Sequence, residues 1–523
     1  MVDRVKPAAD ATVPQGVGRI LRNVFSNWGS YFFSLVVTFF LAPFVVRHLG
    51  DTGYGLWTLI VSLTGYLGLL DLGVRGAVTR YVAKFHAAEE HREAGRVAHT
   101  ALLIFTAVGM LAIVIGVALA YFALPAFHIS PEQRAVARLV LILAGVNVGV
   151  SLVSGVFGGI LAGLQRFDLM NLLEVLTSGL RAIAIVAALA AGKGLVALAV
   201  IQLAFSAARA MVSAGLSFRF YPQLRESLGG AGREHFRLIF SFSFYSFLLH
   251  VGVSLIYYTD TVVIGAFLPV GLITFFAIGG NLVEYSRALV SGISQTLSPV
   301  ASALEAHDDQ GELRNLLLHS SRFASLVTLP VVLTFMLRGA SFISLWMGPR
   351  YAQLSGNVLW VLALGSLVAS PNYPAGSIML GISRHKPLVP ALLAEGACNL
   401  ALSIVLLRSM GILGVAWGTV IPTLFVHLVF WPWYVHRTLR IPPLTYLVTG
   451  WIRPGIAAIP FAFLSYVMDR LWPAPNLFVF FLQVGLSLPL ALLGFWYLCL
   501  PKTDRQVYSR KLWSSMEKVL RRA

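Results

Sequence analysis

The chain has 523 residues, of which 57% are hydrophobic and only 12% charged, and its mean hydropathy is +0.79. A soluble domain carries about a quarter charged residues, so a soluble enzyme is excluded. Its 39 basic residues outnumber the 22 acidic ones to leave a net charge of +17, an excess that in a membrane protein marks cytoplasmic loops and not a nucleic-acid groove.

Residues 1–23 carry Arg4, Lys6, Arg19 and Arg22 but no apolar core and no small-residue cleavage pattern. They read as a tail and not as a signal peptide. Fourteen apolar segments follow, at roughly 24–46, 54–78, 97–124, 135–163, 169–190, 195–218, 237–266, 271–299, 322–347, 354–381, 387–408, 412–435, 447–468 and 476–500. A spanning helix needs about 20 apolar residues. Backbone groups in lipid must pair internally, and the alternating pattern of barrel strands is absent, so each segment is expected to be a transmembrane helix. The fold class expected is an all-α polytopic membrane protein. Its layout is a tail over 1–23, an N-lobe over 24–219 (segments 1–6), a cytoplasmic linker over 220–236, a C-lobe over 237–436 (segments 7–12), segments 13 and 14 over 437–500, and a basic tail over 501–523.

Orientation follows from the Lys and Arg of the connections. The N-terminal tail, the even-numbered connections and the C-terminal tail hold 26 of them, against seven on the other side: Arg47, Arg134, Arg138, Lys193, Arg350, Arg408 and Arg470. Both termini are therefore expected in the cytoplasm, with an even number of spans. Trp57, Trp346, Trp431, Trp433, Trp451 and Trp472 fall near segment ends, as interfacial anchors do. The longest outer loop, about 125–134, has ten residues, too few for a protruding catalytic domain. In the last tail, bases alternate with Val507, Leu512, Trp513, Met516 and Leu520. It reads either as an amphipathic helix on the inner leaflet or as a solvated basic tail. Cys398 and Cys499 sit in apolar runs and form neither a disulfide framework nor a metal spacing.

The sequence echoes itself at an offset of 218. Gly53 and Gly271 each open a helix after an outer turn, and Gly163-Leu164-Gln165-Arg166 recurs as Gly381-Ile382-Ser383-Arg384. Gly194-Leu195-Val196-Ala197 has a looser echo at 411–416. Each copy covers six segments, an even number, so the copies are expected to be related by an axis along the membrane normal, the arrangement that suits alternating access.

Ionisable groups at bilayer depth are costly and usually face a cavity or one another. Here they are Asp71, Arg75, Glu174, Arg181, Arg209, His250, Asp260, Glu284, Arg287, Arg338, Glu395 and His427. Asp71 with Arg75, and Glu284 with Arg287, share helix faces by spacing. Local neutralisation and a cavity role are both open for these pairs. Arg181 and Arg209 have no acid three or four positions away. Water, an acid from another helix, or an anionic substrate would each serve them. A guanidinium stays charged and its planar fork binds two phosphate oxygens, so a cationic cavity suits a pyrophosphate headgroup. Arg75, Arg181, Arg209 and Arg287 are the candidate substrate-binding residues. Asp260, Glu395 and His250 are the candidates for ion coupling, with Na⁺ or H⁺ both open; for each, a structural role in a hydrogen-bond network is the competing reading. No cofactor, no resident metal and no nucleic-acid partner are expected. The absence of a phosphate-binding G-x-x-x-x-G-K-[ST] loop leaves no ATPase on the chain.

Arg47-His48-Leu49-Gly50-Asp51-Thr52-Gly53-Tyr54-Gly55-Leu56-Trp57 carries a family resemblance. It runs on through Gly65-Tyr66-Leu67 and Leu70-Asp71-Leu72-Gly73 to Thr79-Arg80-Tyr81-Val82. With Gly411-Ile412-Leu413-Gly414-Val415-Ala416-Trp417-Gly418, Tyr258-Thr259-Asp260 and Val263-Ile264-Gly265, it resembles the oligosaccharide flippase (polysaccharide biosynthesis) branch of the multidrug/oligosaccharidyl-lipid/polysaccharide exporter superfamily. The resemblance implies a V-shaped pair of six-helix lobes. It implies translocation of an undecaprenyl-pyrophosphate-linked oligosaccharide across the inner membrane, feeding O-antigen, capsule or exopolysaccharide assembly. It also implies membrane lipid, and glycosyltransferases and a polysaccharide polymerase, as partners. Segments 13 and 14 favour flippases over twelve-helix drug exporters, although lipid II flippases share them. The alternatives are a cation-coupled multidrug exporter of the same fold, for which an acid-rich cavity is expected, a lipid II flippase, and a membrane-embedded polymerase or ligase, which the short outer loops disfavour.

Overall fold

The computed structural model describes residues 15–222, 233–502, 505–506 and 509–510, with side chains described outside 15–27, 233, 237–238 and 240–246. Most of the expected terminal tails and of the linker over 220–236 therefore lies outside the described residues. The described chain is helical throughout. In order it forms α1 (Gln15–Leu67), α2 (Val74–Ala87), α3 (His91–Ala118), α4 (Pro131–Gly163), α5 (Phe167–Ala190), α6 (Leu195–Phe220), α7 (Arg233–Phe267), α8 (Gly271–Gln295) and α9 (Leu297–Ala306). There follow α10 (Gln310–Trp346), α11 (Pro349–Ala369), α12 (Tyr373–Gly381), α13 (Leu388–Met410), α14 (Ile412–Phe425), α15 (Trp431–Leu439), α16 (Pro443–Leu447), α17 (Arg453–Leu471) and α18 (Leu477–Leu498). Among the described residues, 12 helical stretches are long and apolar enough to cross a membrane. One of them, Trp28–Ala87, runs for 60 residues, about three times the length one crossing needs. It is broken at Gly50, whose φ of 67° is open to glycine without steric cost.

Several apolar segments expected as continuous helices are interrupted instead. Segment 54–78 breaks at a 3₁₀ turn over Gly68–Asp71, followed by left-handed Leu72 and Gly73. Segment 271–299 divides into α8 and α9, and 354–381 is cut by a 3₁₀ turn at Ser370–Asn372. Segments 412–435 and 447–468 carry π-helical turns at Val426–Phe430 and Val448–Ile452. Proline accounts for three of these. Pro371, Pro432 and Pro454 have no N–H to return to the carbonyl four residues back, and in lipid a freed carbonyl needs another donor. For Pro454 that carbonyl belongs to Gly450, which accepts from Ser325 Oγ at 2.6 Å. Nearby, the Val368 carbonyl accepts from Trp451 Nε1 at 3.0 Å, and the His427 carbonyl from Asn372 Nδ2 at 3.1 Å.

The described residues divide into two compact units, the first lying within Met1–Gly50, Leu67–Pro125 and Ser130–Phe247, the second within Asp51–Tyr66, Ala126–Ile129 and Leu248–Ala523. The core of the first unit is built from Val74, Val78 and Val82 of α2, Val97, Ala101 and Phe105 of α3, and Leu152, Val156 and Ile160 of α4. Lipid gives helices no hydrophobic reason to associate, so close backbone approach through small residues does that work. A Cβ on Gly116 would lie 3.0 Å from Gly145 Cα, and one on Gly163 would lie 3.0 Å from the Thr79 carbonyl.

The second unit gathers around α10. Arg338 on this helix is 1% exposed. Its Nε donates to Asp469 Oδ1 of α17 at 3.0 Å and its Nη2 to Gln483 Oε1 of α18 at 2.5 Å, and its guanidinium lies 4.5 Å from the Phe480 ring centre. The same unit holds residues 51–66: Asp51 pairs with Arg350 and accepts from the Tyr351 hydroxyl at 2.6 Å, while Tyr66 bonds Thr259 at 2.7 Å.

Backbone features recur near the offset read in the sequence. Pro131 and Pro349 each open a helix, and Gly163 and Gly381 each end one. Left-handed residues follow the same rule: Gln165 with Ser383, Glu89 with Asp308, and Gly192 with Gly411. The turns of the two halves are thus built alike even where their residue types differ.

Candidate functional site

Within the first unit, α2, α4, α5 and α6 line an open cavity of about 350 Å³. The lining residues of α5 are Met170, Leu173, Glu174, Thr177 and Arg181, and those of α6 are Gln202, Phe205, Ser206, Arg209 and Ser213. Both sets follow the same spacing (i, i+3, i+4, i+7, i+11), which keeps them on one face of each helix. α2 adds Arg75 and Thr79, and α4 adds Ser151, Ser154, Gly155, Gly158, Gly159, Leu161 and Ala162.

The three arginines differ in how they are held. Arg209 forms an ion pair with Glu174 across the α5–α6 interface, so its acid comes from another helix. Arg181 Nη1 donates to the neutral amide oxygen of Gln202 at 3.1 Å. Arg75 lies 3.5 Å from Asp71, and its guanidinium rests against Gly155, where a Cβ would sit 3.0 Å from Nε. Three guanidinium groups thus line the cavity against a single lining carboxylate, Glu174, among the described residues. Seven hydroxyl and amide side chains surround them. Such a wall offers charge-assisted donors to an anion and neutral partners to hydroxyl groups.

Arg287, grouped with these arginines in the sequence, belongs to the second unit and does not line this cavity. Its Nε donates to Glu284 Oε2 at 2.9 Å and its Nη2 pairs with the other oxygen of the same carboxylate. Its guanidinium lies 4.0 Å from the Tyr257 ring centre. Both arms of the fork are therefore occupied by one acid.

The ion-coupling candidates also separate. Asp260 of α7 is buried and accepts from Thr419 Oγ1 at 2.6 Å. Thr419 in turn accepts from Asn399 Nδ2 at 3.2 Å, and Asn399 Oδ1 accepts from Ser403 Oγ at 3.2 Å. Glu395, four residues before Asn399 on α13, accepts from Thr423 at 2.9 Å. Asp260 and Glu395 thus hold successive hydroxyls on one face of α14. His250 is exposed and ten residues from Asp260 on α7, about 15 Å along the axis, so it stands outside this cluster. His427 pairs with Asn372 at 3.0 Å, and Asn372 Oδ1 accepts from Tyr446 at 2.8 Å, a closed network. Among the described residues no group of three or more His, Cys, Asp or Glu could hold a metal ion.

The sequence reading passed over Gln202, Thr177, Ser206, Asn399 and Thr419, because isolated hydroxyls and amides are common in spans. The signal that would have found the first three is the shared spacing with Arg181 and Arg209 on α5 and α6.

A family model described as "Polysaccharide biosynthesis protein" matches residues 20–305, more than half of the chain. The chain belongs to the polysaccharide biosynthesis protein family. Its relatives include the "Putative O-antigen transporter" of Shigella flexneri, 23% identical over 76% of this chain and 93% of the relative. The "Probable low-salt glycan biosynthesis flippase Agl15" of Haloferax volcanii is 22% identical over 72% of this chain and 75% of its own. Among solved structures, "Lipid II flippase MurJ, inward closed conformation" superimposes with a TM-score of 0.69 over 91% of this chain and 98% of that one, at 14% identity. That likeness is one of fold.

Proposed function

We propose that this family member is a flippase that carries a polyprenyl-diphosphate-linked oligosaccharide from the cytoplasmic to the outer leaflet of the inner membrane, for O-antigen, capsule or exopolysaccharide assembly. The observation that carries the reading is the convergence of Arg75, Arg181 and Arg209 on one polar cavity. Those guanidiniums would bind the diphosphate, the hydroxyl and amide groups the first sugar, and the polyprenyl chain would stay in lipid. The family, and the glycan-transporter names of the two relatives, support the same reading and speak for transport over catalysis. Taking Trp28–Ala87 as two passes on either side of Gly50, and adding the 25-residue α8, gives fourteen spans with both termini in the cytoplasm. Two pseudo-symmetric six-helix lobes would then expose the site to each face in turn. The glycosyltransferases that build the repeat unit, and the polymerase that uses it, are the partners this role requires.

The same fold serves drug exporters, but a lipophilic cation would meet net positive charge in this cavity. Translocation of a fluorescent undecaprenyl-diphosphate oligosaccharide in proteoliposomes tests the proposal. The expected result is transfer of the labelled lipid across the bilayer without efflux of lipophilic cationic dyes. Dye efflux without lipid transfer would reverse the assignment, and strict preference for lipid II would move it to the peptidoglycan precursor.

Coupling to Na⁺ or H⁺ fits the second unit, where Asp260, Asn399 and Thr419 bring hard oxygen atoms together in a dry setting. Glu395 would act beside them and His250 apart from them. Asp260→Asn is expected to slow transport by about tenfold or more and to remove its response to an imposed Na⁺ or H⁺ gradient. A full gradient response in that variant would exclude Asp260 from coupling.

A further inference from the structure

Glu174 is the one carboxylate lining the cavity among the described residues, and it is paired across helices with Arg209. A bundle that only needed to be neutral would pair every arginine, yet Arg181, beside this pair, is bonded to an uncharged amide. Glu174 and Arg209 also keep 34% and 40% of their side-chain surface exposed, and both line the cavity, so a ligand there can reach the pair. Accessible ion pairs are weak and exchange partners readily. A diphosphate, with more charge and a geometry that matches the guanidinium fork, is the stronger partner.

We propose that Glu174 is an internal counter-ion that competes with the substrate diphosphate for Arg209: it holds that guanidinium in position in the empty cavity and reclaims it when the headgroup leaves. This rests on the reading of the cavity as a diphosphate site. Three guanidiniums with no competitor would bind the headgroup tightly and release it slowly, and transport gains nothing from affinity that outlasts the conformational change. Glu174 is therefore a positioning residue that acts through Arg209, and its removal should separate binding from turnover.

The test uses the full-length protein in nanodiscs, with inorganic pyrophosphate and undecaprenyl diphosphate as probes in calorimetry, and oligosaccharide-lipid transfer in proteoliposomes. Glu174→Gln is expected to bind both probes about tenfold more tightly, the scale of one charge-assisted bond no longer opposed. Its maximal transfer rate should fall by a similar factor, while Glu174→Asp, which keeps the carboxylate on a shorter arm, recovers part of both values. Arg209→Gln, which leaves the acid facing the cavity, should bind more weakly than Glu174→Gln/Arg209→Gln. A purely structural role predicts loss of both binding and transfer in Glu174→Gln. A folded Glu174→Gln with unchanged or weaker binding overturns the proposal, and if that variant does not fold, failure of the double variant to exceed Arg209→Gln does so. Wild-type protein that binds neither probe overturns the diphosphate reading together with this proposal; wild-type binding with no Glu174 effect overturns this proposal alone.

Discussion

Arg181→Ala is expected to abolish surface polysaccharide while the protein still inserts into the membrane at near wild-type abundance. Arg181 lies in the polar cavity wall and is hydrogen-bonded to the neutral Gln202, and the nearby Glu174 keeps its ion pair with Arg209 when the guanidinium goes. What disappears is a fixed positive charge facing the headgroup, worth about 1.5–3 kcal/mol if it makes one charge-assisted bond, or roughly ten- to a hundredfold in affinity. Arg209→Ala should be at least as damaging, because it removes a second donor and leaves Glu174 to repel the diphosphate. Lys at position 181 keeps the charge without the fork and should restore part of the function. The measurement is surface polysaccharide on gels from a flippase-deleted strain, alongside immunoblots of membrane fractions. Full activity in both alanine variants would remove the cationic-cavity argument.

Asp469→Ala should destabilise the protein by about 3–5 kcal/mol, the usual effect of stranding one member of a buried ion pair. The 1% exposed Arg338 would keep only Gln483 and the Phe480 ring, and its Nη1 is already buried without a hydrogen bond among the described residues. Ser341, which donates to Asp469 Oδ2 at 3.2 Å, would lose its acceptor too. The double variant Arg338→Met/Asp469→Leu should recover most of the loss, since a buried ion pair replaced by apolar groups of similar size is often neutral. Thermal unfolding of detergent-solubilised protein checks both. A single variant as stable as wild type would show that the pair does not hold α17 to α10.

Much of this architecture was legible in the sequence. Hydropathy located the helices because a chain in lipid has almost no alternative to helix. The repeat was visible because Gly163-Leu164-Gln165-Arg166 recurs as Gly381-Ile382-Ser383-Arg384, and both runs end a helix at a turn whose left-handed residue, Gln165 or Ser383, holds the same place. The helix interruptions were harder to see. Hydropathy does not register the carbonyl that a proline releases, nor whether a neighbour such as Ser325 is there to accept the role of its donor. The site was legible in part. Residue type singled out Arg75, Arg181 and Arg209, and spacing set Glu284 beside Arg287, but spacing along one helix could not show that Glu174 answers Arg209 from the next. Arg338 was visible as a charge in a span. Its partners lie 131 and 145 residues away, and pairings at that range leave no local pattern.

That separation has a consequence for biogenesis. Arg338 is synthesised 131 residues before Asp469, and ribosomes extend a chain at about 5–20 residues per second. For on the order of ten seconds the nascent protein carries α10 with its guanidinium not yet answered. The translocon, local water defects or a snorkelling side chain must shelter that cation until the last hairpin arrives. The pair that ties α10 to α17 thus forms only once α17 has been made, and a chain that stops short of it leaves α10 with an unanswered charge in the membrane.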